Sequence, residues 1–314
     1  MRNAYDPRRV ALIGFGEAGG ILGCALAATG RHDVTAYDIL LDDPARAEAL
    51  RARARDGGVV DRPSAAAAAQ GARFVISAVT AASARDVAIG AAGYLLPGQI
   101  FIDINSVSPE TKRANAAVVE RSGADYVEAA VMAPVPPSGL KVPILLGGRA
   151  AGAVKAALDP AGMTLDIVGP EIGEASAIKM CRSIMIKGLE ALTVECLMTA
   201  RRYGVEDSIV ASLDKSFPHM GWNDRAGYLI GRVLEHGRRR AAEMREVADT
   251  VAEAGLTPLM ASAIADRQQW VADLVARQPD LARANDRAWR DHLDALAALA
   301  GLGPAGGRRV DAKQ

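Results

Sequence analysis

The chain is poor in the residues that build several classes of protein. Only 4% of its 314 residues are aromatic, and only three are cysteine: Cys24, Cys181 and Cys196. An odd number of widely spaced cysteines, with no CxxC and no Cys/His cluster, supports neither a disulfide framework nor a zinc site. No metal is expected, and a reduced, cytoplasmic setting fits best. Net charge is missing too. Lys and Arg total 37, and so do Asp and Glu, so no long-range field would draw nucleic acid or an anionic membrane surface. No window of about 18 residues lacks both charges and glycine breaks, which argues against a membrane-spanning helix. What is abundant is apolar: half of the chain, enough for a sizeable core in about two domains.

Near the N-terminus, Arg2, Arg8 and Arg9 precede a mostly apolar run ending in Ile21-Leu22-Gly23-Cys24, the outline of an export signal. Glu17 would interrupt its apolar region, and five glycines between Gly14 and Gly23 would weaken the helix it needs. The same letters contain Gly14-x-Gly16-x-x-Gly19. An apolar strand-like run, Arg9 to Ile13, leads into the first glycine; an Ala/Leu-rich helical stretch follows until Gly30; a second strand, Asp33 to Asp38, ends in an acid. That order is the dinucleotide-binding fingerprint. Gly14 permits the tight turn, Gly16 the approach of the pyrophosphate, and Gly19 close helix–strand packing. Phosphates would rest on the helix N-terminus, with Phe15, Glu17 and Ala18 beside them. Asp38, nineteen residues past Gly19, is placed to accept the ribose 2′-hydroxyl. Its charge would repel a 2′-phosphate, and Ile39-Leu40-Leu41 supply no arginine, so NAD is expected over NADP. The alternative is an ordinary βα turn without ligand.

Further strand-like runs are 74–79, 100–104, 126–131, 142–146 and 164–168, alternating with Ala-rich helical stretches. The alternation predicts a largely parallel sheet covered on both faces over residues 1–168. From about Ala175 onward everything reads as helix: one long, apolar, buried helix from Ile178 to Arg202 within an interdomain segment 169–202, then a helical domain 203–300 and a loose tail 301–314. His236-Gly-Arg-Arg-Arg240 reads as the start of a further amphipathic helix. Gly255-Leu-Thr257-Pro258 would close it, with Thr257 as N-cap and Pro258 as first residue of the next.

Together these features resemble the β-hydroxyacid dehydrogenase superfamily, the relatives of 3-hydroxyisobutyrate and 6-phosphogluconate dehydrogenases. HGRRRAAEMREVADTVAEAGLTPLM resembles the branch whose C-terminal helical domain is of unknown function. The resemblance implies an α/β Rossmann-type N-terminal domain followed by an all-α C-terminal domain of the 6-phosphogluconate dehydrogenase type. It also implies NAD(P), a small-molecule substrate, a homodimer, and Val79, Thr80 and Asn105 beside the cofactor.

Three motifs carry over by position. Asp103-Ile-Asn-Ser-Val-Ser-Pro109 resembles the substrate loop D-x-S-T-x-x-P, which implies that Asn105 and Ser106 contact substrate; alternatively, Ser-x-Ser-Pro only caps the helix near Glu110. Glu128-Ala-Ala-Val-Met132-Ala133-Pro134 stands where D-A-P-V-S-G-G is usual. Met132 and Ala133 fit a larger or apolar substrate, or equally a repacked core loop. Gly173-Glu-Ala-Ser-Ala-Ile-Lys179 matches G-x-G-x-x-x-K with Ala175 at the second glycine, and the family's catalytic lysine corresponds to Lys179. A buried lysine with lowered pKa serves as general acid/base in hydride transfer; an interdomain salt bridge is the other role open to it.

Ser183 stands one turn later, where the family has a substrate-holding asparagine, and Lys187 one turn further, either repelling Lys179 or solvated. Glu243 falls near the acid of a C-terminal Lys-Asp motif whose lysine is unmatched; it closes over substrate or belongs to a solvated face. Trp222, in Phe217-Pro-His-Met-Gly-Trp222, lines an aromatic pocket or packs in a core or dimer. Other chemistries on this scaffold are imine reduction and oxidative decarboxylation, the latter weakened because Arg182-Ser183 replaces a His-Asn pair. The altered Met132-Ala133-Pro134 segment leaves a non-catalytic NAD-binding role open.

Overall fold

A computed structural model describes residues 5–283 and 288–302. Arg2 and residues 303–314, most of the expected tail, lie outside the described residues. The first part of the chain alternates strand and helix: β1 (Asp6–Ile13), α1 (Glu17–Ala28), β2 (Asp33–Tyr37), α2 (Pro44–Asp56), β3 (Val60–Asp61), α3 (Ala65–Ala69), β4 (Ala72–Ser77), α4 (Ala81–Ala92), β5 (Ile100–Asp103), α5 (Pro109–Val119), β6 (Asp125–Val131), α6 (Val135–Ser138), β7 (Pro143–Gly147), α7 (Ala151–Leu158) and β8 (Thr164–Gly169). The strands form one sheet in the order β3-β2-β1-β4-β5-β6-β7-β8.

Side chains at alternate positions enter opposite faces of this sheet. Val10 and Leu12 of β1 pack with Leu22, Leu26, Ile76 and Ile102, while Ala11 and Ile13 pack with Val75, Ala88 and Phe101. Burial of both faces explains why the strands read as continuous apolar runs. All pairings are parallel except β6 with β7. The connection there, residues 132–142, is shorter than the dozen or so residues a parallel crossover needs. Because β1 has β2 on one side and β4 on the other, the order in which strands are added reverses beside β1, and the carboxyl ends of β1 and β4 open the crevice where such sheets take ligands.

The chain divides into two compact units, Met1–Met180 and Cys181–Gln314, and the boundary falls inside α8 (Glu174–Tyr203). The second unit is helical: α9 (Glu206–Ser216), α10 (Trp222–Glu253), α11 (Leu259–Val275) and α12 (Trp289–Leu299) follow. Its core is built on Val194, Leu197, Ala226, Ile230, Val233, Val271 and Leu296. Among the described residues no helix is long and apolar enough to cross a membrane.

Three helical expectations need correction. His236 does not begin a helix; α10 runs unbroken from Trp222 to Glu253. Gly237 looks like a break in the sequence, but a Cβ there would come 2.9 Å from the Gln268 carbonyl oxygen, so the glycine allows α10 and α11 to pack closely. Gly255 has the left-handed φ of +80° expected at a helix end, yet α11 begins at Leu259 with Pro258, not Thr257, as its cap residue. The third concerns α8, which is not buried along its apolar stripe. Ile178 and Met185 are 45% and 66% exposed, whereas Ser183, Lys187 and Glu190 are buried. Both stripes recur at helical spacing, so periodicity alone could not say which faces inward.

Candidate functional site

The glycine loop after β1 has the geometry its three glycines imply. Gly14 has φ +95° and donates its N–H to the Tyr37 carbonyl (2.8 Å); a Cβ there would lie 2.4 Å from the Ala78 oxygen. At Gly19 a Cβ would approach the Gly14 oxygen to 2.1 Å, so α1 can start only this close to β1 without a side chain. A Cβ on Gly16 meets nothing within 4 Å. Gly16 is also the N-cap of α1 and supplies no side-chain cap, which leaves the first-turn N–H groups, from Glu17, Ala18 and Gly19, for an anion. These features fit a dinucleotide pyrophosphate. Gly19→Ala should therefore destabilise the first unit by about 1–3 kcal/mol; an unchanged melting temperature would show that the helix start yields more easily than this packing implies.

Asp38, at the end of β2, is held against the same loop. One carboxylate oxygen accepts the Phe15 N–H (2.7 Å) and the other the Leu40 N–H (2.9 Å). The Phe15 side chain is buried in the core, with the Arg53 guanidinium 4.7 Å above its ring. Across the crevice, Asn105 accepts from the Val79 N–H (2.7 Å) and donates to the Ser77 hydroxyl (2.9 Å), locking the loop after β5 to the end of β4. Thr80 is exposed at the N-cap of α4 and bonds Ser83 (3.0 Å). The structure thus gathers Gly14 to Gly19, Asp38, Val79, Thr80 and Asn105 at the carboxyl ends of neighbouring strands.

Ser106 and Ser108 have separate tasks. Ser108 caps α5, accepting from the Thr111 N–H (3.2 Å). Ser106 instead accepts from the Lys179 ammonium at 2.5 Å, across 73 residues of sequence. The capping role therefore belongs to Ser108, and Ser106 joins a lysine–serine pair next to Asn105. Ala133 and Pro134 are exposed and Met132 half-buried, with its N–H on the Pro143 carbonyl (2.9 Å); the segment is a surface loop, not a core one.

Beneath this pair lie two buried acids. Asp103 and Glu128 are register partners on β5 and β6, both without solvent exposure. Asp103 accepts from Lys112 (2.9 Å), the Tyr126 hydroxyl (2.6 Å), Asn115 (3.3 Å) and the Asn105 N–H (2.9 Å). Lys112 also donates to the Asp103 carbonyl (2.7 Å). Burial by itself would push the Asp103 carboxyl up, but the Lys112 charge and these hydrogen bonds outweigh it and hold the group below the usual carboxylate value. Burial and the neighbouring Asp103 charge push the Tyr126 hydroxyl well up, so it stays a donor. Sequence patterns alone do not single out Lys112, Asn115, Tyr126 and Glu128. Their signals were an acid inside the apolar run Tyr126-Val-Glu128-Ala-Ala-Val131 and a lysine one turn into the helix after Pro109.

In the second unit, the buried Ser183 hydroxyl accepts from Lys187 (3.0 Å), and Lys187 pairs with Glu243 (3.1 Å), which Arg239 also reaches (2.8 Å). Burial pulls the Lys187 ammonium below its ordinary value, and Glu243 offsets only part of that. Lys187 is therefore not solvated: it is buried and paired with Ser183 and Glu243. Trp222 is not a pocket residue. It is 8% exposed, packed in the helical core with the Phe217 ring 6.1 Å away edge-on, because α10 starts at this residue and turns its first apolar side chain inward.

Residues 9–161 match the NAD binding domain of 6-phosphogluconate dehydrogenase, and residues 200–271 match a domain of unknown function, DUF1932. A conserved hypothetical protein of Sinorhizobium meliloti 1021 is 39% identical over 95% of this chain and 98% of its own, with a TM-score of 0.76. A conserved protein of unknown function, described as structurally similar to 3-hydroxyacid dehydrogenases, is 32% identical over 89% of this chain and all of its own (TM-score 0.68). The chain belongs to the β-hydroxyacid dehydrogenase superfamily, in the branch with a C-terminal domain of unknown function. This superfamily member is also 29% identical over 187 residues, 60% of the chain and 71% of the relative, to an uncharacterized 28.5 kDa protein of Methanothermus fervidus. The Mycobacterium tuberculosis 3-hydroxyisobutyrate dehydrogenase, at 20% identity over 93% of this chain and 98% of its own (TM-score 0.64), shares the fold.

Proposed function

We propose that the protein is an NAD(P)-dependent oxidoreductase acting on a hydroxyl or carbonyl group of a small molecule, a hydroxy acid or related alcohol. The observation that carries this reading is the Lys179–Ser106 pair at 2.5 Å, on the loop that Asn105 ties to the dinucleotide crevice. The dinucleotide supplies or accepts the hydride. Lys179 moves the proton on the substrate oxygen, and the Ser106 hydroxyl orients that oxygen while holding the ammonium in place. Neutral and protonated lysine serve the two directions of reaction.

NAD is the preferred cofactor in this reading. Asp38 places a carboxylate at the end of β2, where a 2′-phosphate would meet it, and like charges there should cost NADPH about tenfold or more in affinity. Fluorescence titration should give a Kd for NADH at least that much lower than for NADPH, and equal affinities would remove the argument. The function itself is tested by following NADH formation at mildly alkaline pH over hydroxy acids, polyols and aryl alcohols. Turnover of one class, lost in Lys179→Met, is the supporting result; NADH binding with no oxidation of any class counts against it.

A further inference from the structure

Glu128 is an acid in the middle of a strand buried on both faces, a position acids almost never occupy without a partner. Its carboxylate reaches the start of α8. One oxygen accepts the N–H groups of Gly173 (2.7 Å) and Ala175 (3.0 Å); the other accepts the Ser176 N–H (3.3 Å) and hydroxyl (2.8 Å). All four donors are uncharged, so the positive end of the helix is what answers the acid. The neighbouring strand makes room: a Cβ on Gly147 would lie 2.6 Å from the carboxylate. Gly173 adopts φ +112° to turn its N–H onto the acid.

Lys179 stands in the second turn of the same helix. Helical side chains lean back toward the N-terminus, which brings its ammonium toward the end of a helix that disfavours cations. An anion fixed on that end cancels the effect. We infer that Glu128 is a positioning residue for Lys179: it anchors the start of α8 to β6 and, by neutralising that helix end, raises the pH at which the lysine gives up its proton. This rests on Lys179 being the proton-transfer group, but its test needs no substrate, so it can fail separately from the dehydrogenase reading.

The other charged groups of the surroundings are Glu174, Arg182 and Lys187 on α8, the last paired with Glu243, Glu110, Lys112 and Arg113 on α5, and Asp103 with Tyr126 on β5 and β6. Arg113 lies against Gly173 and pairs with Glu110, and Asp103 pairs with Lys112. None of these side chains is itself altered in a single substitution of Glu128, and Tyr126, which also feels the Glu128 charge, is held neutral by burial and by Asp103.

The test is competitive labelling with acetic anhydride from neutral to strongly alkaline pH, with the Lys179 peptide quantified by mass spectrometry against exposed Lys215 as reference. Glu128→Gln keeps the size and an acceptor but removes the charge. The Lys179 midpoint should fall by roughly one pH unit, while Lys215 does not move. Ser176→Ala removes a donor but no charge; it should lower the melting temperature and leave the midpoint in place. Should Glu128→Gln fail to fold, Glu128→Asp carries the test, since it withdraws the carboxylate from the helix by one methylene and should lower the midpoint by a smaller, measurable amount. A wild-type midpoint in the folded Gln or Asp variant overturns the inference. An equal fall in Ser176→Ala does so too, because anchoring without charge would then explain everything.

Discussion

Lys179→Met is expected to lower kcat roughly 10²- to 10⁴-fold, the span attributable to one positioned proton-transfer group, while leaving the Kd for NADH within error of wild type. Methionine keeps the length and apolar stem of the lysine and removes its donors, so Ser106 loses the ammonium that bonds it at 2.5 Å. The cofactor contacts proposed at Gly14 to Gly19 and at Asp38 lie on the loop after β1, the start of α1 and the residue after β2, segments the substitution does not touch. Two outcomes would sink the assignment: unimpaired turnover, or loss of turnover and of NADH affinity in parallel, as a purely structural lysine would give. If the wild type binds NADH but oxidises no alcohol in the panel, imine reduction or a non-catalytic NAD-binding role becomes the better reading, and the same variant then separates those two. Only the reductase would lose an activity.

The sheet was legible because strands buried on both faces leave unbroken apolar runs. The runs from Phe74, Ile100 and Thr164 lie within about two residues of β4, β5 and β8. The fingerprint was legible for a different reason: strand, glycine turn, helix and acid-terminated strand follow one another directly in sequence, although what crowds Gly14 is the Ala78 backbone, sixty-four residues on. Local reading failed where distant segments decide. Gly237 looks like a break because what it accommodates, the Gln268 backbone, is thirty-one residues away in sequence. Two residues of β3 paired with β2 are too few to show a period. The Lys179–Ser106 pair was reachable through motifs, although nothing in Ser-Val-Ser-Pro says which serine caps the helix and which meets the lysine. The acids below them were harder. Glu128 finds its donors 45 to 48 residues on, and its only local trace was a charge in a strand that otherwise reads as core.

The largest stability effect is expected from Lys112→Met. Lys112 is 1% exposed and bonds both the carboxylate and the carbonyl of Asp103, itself fully buried. Removing the cation leaves an uncompensated buried charge, which typically costs about 3–5 kcal/mol. The pH dependence identifies the cause. In wild type the Asp103 carboxyl titrates below its unfolded value, so its contribution is present above about pH 4 and is lost only as pH falls through the folded value. In the variant only the neutral donors Tyr126, Asn115 and Asn105 oppose the burial, and the folded value is expected to rise above the unfolded one. The penalty is then complete at neutral pH and shrinks as pH falls toward about 4. Denaturant unfolding of the full chain should therefore show a larger deficit relative to wild type at pH 7 than at pH 5. Adding Asp103→Asn to Lys112→Met should recover much of it, because the amide needs no counter-charge. An identical deficit at both pH values, with no recovery in the double variant, would mean that Lys112 acts through packing of its stem rather than through its charge. The consequence reaches the site: Asp103 also accepts the Asn105 N–H, so an acid left without its cation loosens the loop that presents Ser106 to Lys179.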